Sequence, residues 1–267
     1  SELKPPRASK ALAEHWDMAV MSKALATIEV HADFPYELSE AKLGNIFTEE
    51  AYAFFQKLQF KNLLSKFDVT SPANQVEDGF EQITDYKKAE KVLDQAKGSA
   101  CVGAVIFQNT ENVLPLFANE AAIGGIGLCF DEEHAYCIEV TEQITKEFLL
   151  EKLSKLNEGC GRFVMFDIKE AMKWLEIKNQ KHCFDATVAA YLLNPLKNDY
   201  TYEDVAREQL NIVIEEKSEA YVKICYEAYT AFKGSDLLYK KLEATQMLHL
   251  FEDIEMPLVF TLYDMER

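Results

Sequence analysis

No apolar run in the 267 residues approaches the roughly 18 needed to span a bilayer, and the opening SELKPPRASK has no signal-peptide core. Secretion and membrane insertion are therefore not expected, and a cytoplasmic protein is. Glycine and proline are few, at 10 and 7, which excludes a collagen-like or low-complexity chain. Positive charge is also scarce: 28 Lys and Arg stand against 45 Asp and Glu, a net charge of −17. Such a surface repels phosphate, so tight nucleic-acid binding by this chain alone is not expected. The six cysteines form no C-x-x-C pair, and no histidine stands beside one at a zinc-ligand spacing. Cys101, Cys129, Cys137, Cys160, Cys183 and Cys225 thus read as buried free thiols in a reducing compartment. Nor do the five histidines, at 15, 31, 134, 182 and 249, have a Ser, Cys or Asp spaced for a nucleophilic triad. No internal repeat is present.

What is there suits a globular chain: 48% apolar and 12% aromatic residues, with length for one large or two small domains. Charge divides it. Residues 1–68 carry 8 basic and 10 acidic side chains, whereas 69–267 carry 20 and 35. Residues 10–30 and 48–66 read as helices, the second capped by Thr48, with Glu49 and Glu50 where the helix dipole favours anions. The polar stretch DVTSPANQVEDG up to residue 79 reads as a linker. After it come a short strand at 80–84 and an amphipathic helix through Ala89, Val92, Leu93 and Ala96. The runs 100–107, 113–117, 121–130 and 134–140 read as strands of one sheet, the last two a hairpin joined by DEE. Helix 145–156, strand 162–166 and helices 168–176, 185–193 and 201–210 follow. The stretch 218–266 reads as two helices meeting between Phe251 and Pro257. This order predicts an α/β domain with one sheet and helical cover.

Three segments carry a resemblance: GRFVMFD (161–167) leading into a helix, FDATVAAYLLNP (184–195), and EMPLVFTLYDMER (255–267). In this order they resemble the bacterial DNA polymerase I family (family A). SKALATI (22–28) and LQFKNLL (58–64) resemble the last helices of that family's 5′-nuclease domain. The resemblance implies a piece of a larger polymerase: 1–68 as the helical tail of the 5′-nuclease, 69–79 as linker, 80–254 as a 3′–5′ exonuclease-like domain and 255–267 as the first polymerase helix. It implies a ribonuclease H-like fold for 80–254, a mixed sheet flanked by helices. The implied partner is the polymerase domain of the same protein, with Mg²⁺ belonging there, no cofactor here, and DNA and the nucleoid reached only through that protein.

Active members of the family place four carboxylates around two divalent cations. The chemistry demands them, because hard cations roughly 3.5–4 Å apart need several oxygen ligands of negative charge. The first strand should end in Asp-x-Glu; here it ends at Phe107 and Gln108, and Glu111 belongs to the following turn. The second motif keeps Asp167, with Phe163 where an Asn is usual. The third supplies Tyr221, but Cys225 stands four residues on in place of Asp, and a thiol is a poor ligand for Mg²⁺. Gln108, Asp167, Tyr221 and Cys225 are therefore read as vestigial exonuclease positions, with no catalytic or metal-binding residue expected. Asp167 and Asp185 each precede a helical run and read as N-caps, and Tyr221 as a packing residue. Glu120 and Asp131 to Glu133 read as solvated turn residues. VLPLF (113–117) is expected to close part of the substrate groove. Two other readings stay open: an active exonuclease using Asp167 with Glu111 and Asp185, and an acidic α/β protein-interaction module.

Overall fold

The computed structural model describes residues 6–31, 39, 42, 44, 46–58, 60, 63, 67, 74–109, 122–215 and 217–267. The strand expected at 113–117, with Glu111 and Glu120, lies outside them. The chain divides into two units, Ser1–Asp68 and Val69–Arg267.

The first unit holds helices α1 (Pro6–Glu14), α2 (Trp16–Ala26) and α3 (Glu49–Lys57). The long helix expected over 10–30 is thus broken at His15. Thr48 starts α3 as expected: its Oγ1 accepts from the Ala51 amide at 3.2 Å. No residue of α2 is buried, and Trp16 is 63% and Leu25 81% exposed.

The second unit begins with a four-residue helix, α4 (Asn74–Glu77), inside the expected linker. Strand β1 (Phe80–Ile83) and helix α5 (Tyr86–Gln95) follow, then β2 (Val102–Gln108), β3 (Ile123–Cys129), β4 (Ala135–Glu139) and helix α6 (Lys146–Gly159). The remainder is β5 (Phe163–Met165), α7 (Ile168–Ala171), β6 (Cys183–Asp185), α8 (Ala186–Leu193), α9 (Tyr202–Val205), α10 (Ala220–Ala244), α11 (Leu248–Leu250) and α12 (Met256–Glu266). The sheet order is β1-β4-β3-β2-β5-β6. The β2–β3 and β3–β4 pairs are antiparallel; β1–β4, β2–β5 and β5–β6 are parallel.

Side chains alternate across a strand, and here the alternation sorts the core into two layers. Ala104, Ile126, Leu128, Tyr136 and Ile138 join the larger cluster with Leu93 of α5 and Leu149, Leu153 and Leu156 of α6. Val105, Cys129, Ala135 and Cys137 join a second cluster with Cys225, Tyr226, Ala228 and Tyr229 of α10. Gly103 lets α10 lie close on the sheet: a Cβ there would stand 2.3 Å from the Ala228 carbonyl oxygen and 2.5 Å from the Phe232 nitrogen. All six cysteines are free, and all but Cys101 are buried.

The structure departs from expectation in three further places. The helix expected over 168–176 closes after four residues and continues as a turn. Strand β6 was not expected: its last residue, Asp185, reads as the start of the helix that follows. The break in 218–266 falls at 245–247, where Gln246 is left-handed at φ 60°, rather than at 251–257. Pro257 lies in the first turn of α12, where its missing N–H costs little, and a π-helical turn at Phe251–Glu255 carries the helix into it.

Candidate functional site: the carboxyl ends of β2, β5 and β6

Parallel strands β2, β5 and β6 end on the same edge, which sets Gln108, Asp167 and Asp185 at that edge. Asp167 follows β5 in the left-handed region (φ 53°, ψ 69°), a conformation Asp tolerates better than most residues. That sharp turn starts α7 and brings the Asp167 carboxylate onto the Glu170 amide, 3.1 Å away. Asp167 is thus a helix cap and remains exposed.

Asp185 differs. It is 2% exposed, and its oxygens are committed to backbone: Oδ1 accepts from the Thr187 amide at 2.9 Å and the Val188 amide at 3.2 Å, and Oδ2 accepts from the Ile168 amide at 2.8 Å. It caps α8 and ties the start of α7 to β6. Burial pushes its carboxyl up to about 6, with the Asp167 charge adding to the rise, while the three amides pull the other way. Both of its oxygens are engaged by backbone amides and it is buried, so Asp185 is not a free metal ligand.

A cavity of about 230 Å³ lies beside Asp167, lined by Gln108, Met165, Phe166, Glu170, Trp174 and Glu227, with Val105, Ile106 and Ala171. Gln108 and Asp167 therefore come together. Tyr221 and Cys225 do not join them: Tyr221 packs on the second core cluster, and Cys225, fully buried there, donates from Sγ to the Ala135 carbonyl oxygen at 3.5 Å. Burial drives its thiol far above the ordinary value. A helix turns about 100° per residue, so two residues on from Cys225 the side chain leaves the face of α10 that meets Ala135. That residue is Glu227, an acid of this cavity which reading from Tyr221 passed over. Burial and then the Glu203 charge raise its carboxyl from 4.5 to about 7.

Among the described residues no group of three or more His, Cys, Asp or Glu converges so as to hold a metal ion. Gln108 ends β2 without a charge, Cys225 faces the core, Asp185 is spent on amides, and the other acids of the cavity, Asp167, Glu170 and Glu227, do not converge on one point. This donor set does not fit a pair of divalent cations. Asp131 accepts from the Glu133 and His134 amides at 2.8 and 2.7 Å and forms the β3–β4 turn, as a solvated turn residue should.

No family model matches the sequence. Four curated proteins do, at 22–28% identity, and all are named DNA polymerase I. The one from Bacillus subtilis is 27% identical over 99% of this chain, which spans 31% of that relative's length. Among solved structures, the POL domain of Pol1 from M. smegmatis, in complex with DNA primer-template and dNTP, superposes with a TM-score of 0.55, 18% identity and 70% of this chain, 32% of that one. Brucella melitensis NrnC bound to pGG gives 0.51 and 13%, covering 70% of this chain and 91% of that one. The chain is thus similar to bacterial DNA polymerase I along nearly all its length. Its second unit has the ribonuclease H-like 3′–5′ exonuclease-type fold, as expected from sequence. No helix among the described residues is long and apolar enough to cross a membrane.

Proposed function

We propose that this chain is the middle of a DNA polymerase I-like protein and that its exonuclease-like domain is catalytically silent, serving to brace the polymerase domain and join it to the 5′-nuclease. In this reading 1–68 is the 5′-nuclease tail, 69–79 the linker, 80–254 the exonuclease-like domain and 255–267 the first polymerase helix. The partner is the polymerase domain, which would carry the Mg²⁺ and contact DNA; this chain itself would take no cofactor.

The observation that carries the proposal is the state of the four vestigial positions. Hydrolysis of a strand end by two metals needs anionic oxygens on both sides of the scissile phosphate. Asp167 alone of the four is an acid. Gln108 brings an uncharged amide to the cavity, and Cys225 has turned into the core. The bracing role is supported by α12. Met256, Val259 and Phe260 sink into the core, while Leu258 (42% exposed), Leu262 (39%) and Met265 (77%) form an outward apolar stripe for the polymerase domain to cover. The end of α10 buries Leu238 and Leu242 in its own unit.

Glu227 beside Asp167 supports a second reading, an exonuclease with rearranged ligands. The test is the full chain with 5′-labelled single-stranded DNA and Mg²⁺ or Mn²⁺. Intact substrate is expected. A metal-dependent ladder of shortened products, lost in Asp167→Ala, would establish the second reading instead.

A further inference from the structure

The parallel strands have a second end. Gly161 and Arg162 lead into β5, and Gln180–His182 lead into β6, so these residues stand at the edge opposite Asp167. A cavity of about 670 Å³ opens there, the size of a small-molecule site. Its floor is aromatic: Phe251 and Phe260 are buried and contribute to it, with Tyr239 at one side. One wall is cationic. Arg162 donates from Nη1 to Asp236 at 3.0 Å and lies 4.6 Å from the Tyr239 ring centroid and 5.5 Å from that of Phe184. The stacked guanidinium is thereby fixed in place, with the rest of its donor fork uncommitted among the described residues. Lys181 is exposed beside it and forms no ion pair among the described residues. The facing rim carries two acids: Asp253 is engaged by His249, and Glu252 is exposed.

These three parts ask for a ligand with three matching ones. A guanidinium with donors to spare beside an unpaired lysine calls for an oxyanion; an aromatic floor calls for a flat apolar body; an acceptor on the far rim calls for an N–H donor on that body. An aminopurine nucleotide has all three. We propose that this cavity binds a nucleoside monophosphate, its phosphate at Lys181 and Arg162, its base over Phe251 and Phe260, and its amino group toward Glu252. The site is separate from the Asp167 cavity and does not depend on whether that cavity is silent.

Isothermal titration calorimetry of the full chain with adenosine 5′-monophosphate tests the assignment, with adenosine and inorganic phosphate as separate titrants. The nucleotide should bind about tenfold or more tightly than either part, and Lys181→Glu, a surface change that spares the core, should weaken it by about tenfold. Nucleotide binding no tighter than that of its parts, binding indifferent to Lys181→Glu, or binding abolished by Asp167→Ala would each overturn it.

Discussion

The two ends of the parallel strands β2, β5 and β6 hold polar groups in opposite conditions. At the carboxyl ends the acids are numerous and largely committed: Asp185 to three amides, Asp167 to the cap of α7, and Glu227 half-buried with a carboxyl that resists ionising. At the amino ends the cations are few, but Lys181 is unpaired among the described residues and Arg162 is positioned by one carboxylate and two rings. The difference teaches that a count of charged residues says little about binding. What matters is whether their donors and acceptors are already spent on the fold.

The comparison can be sharpened first within the acidic end. Asp185→Ala strips the partner from three buried amides and should cost about 3 kcal/mol of stability, whereas Asp167→Ala loses one exposed cap and should cost about 1 kcal/mol. Urea unfolding of both variants measures this. Equal losses would mean that Asp185 is not the structural carboxylate described.

A smaller effect, with a distinctive sign, is expected at Glu227. Its folded-state carboxyl titrates near 7 against an ordinary 4.5, so the folded chain holds this proton more tightly than the unfolded chain. Stability is therefore fully present below about pH 4.5 and is lost as pH rises through 7. Glu227→Gln removes that loss. The variant should be more stable than the unaltered chain by about 2 kcal/mol at pH 8 and nearly equal to it at pH 4, by chemical unfolding at both values. A destabilised variant at pH 8 would show that the Glu227 charge has a partner.

Much of the architecture was legible in the sequence. The apolar runs at 100–107, 121–130 and 134–140 became β2, β3 and β4, and Thr48, Asp167 and Asp185, read as helix caps, cap helices. These are local signals, set by period and by the need to satisfy first-turn amides. The site was half legible. Gln108 and Asp167 follow directly from strand ends, and they meet. Tyr221 and Cys225 share a helix face, but which face of α10 meets the sheet depends on the glycines of β2 and β3 beneath it. Gly127 shows this: a Cβ there would stand 2.8 Å from the Ile224 side chain. Glu227 and the cavity floored by Phe251 and Phe260 were not legible, because both arise from elements distant in sequence.

The central claim is that the Asp167 cavity lacks the oxygens to hold two divalent cations, and a Mn²⁺ titration of the full chain followed by electron paramagnetic resonance tests it most directly. The account predicts no tight Mn²⁺ binding, with any weak uptake unchanged in Asp167→Ala. Two Mn²⁺ ions bound as a coupled pair, and released by Asp167→Ala or Glu227→Gln, would contradict it.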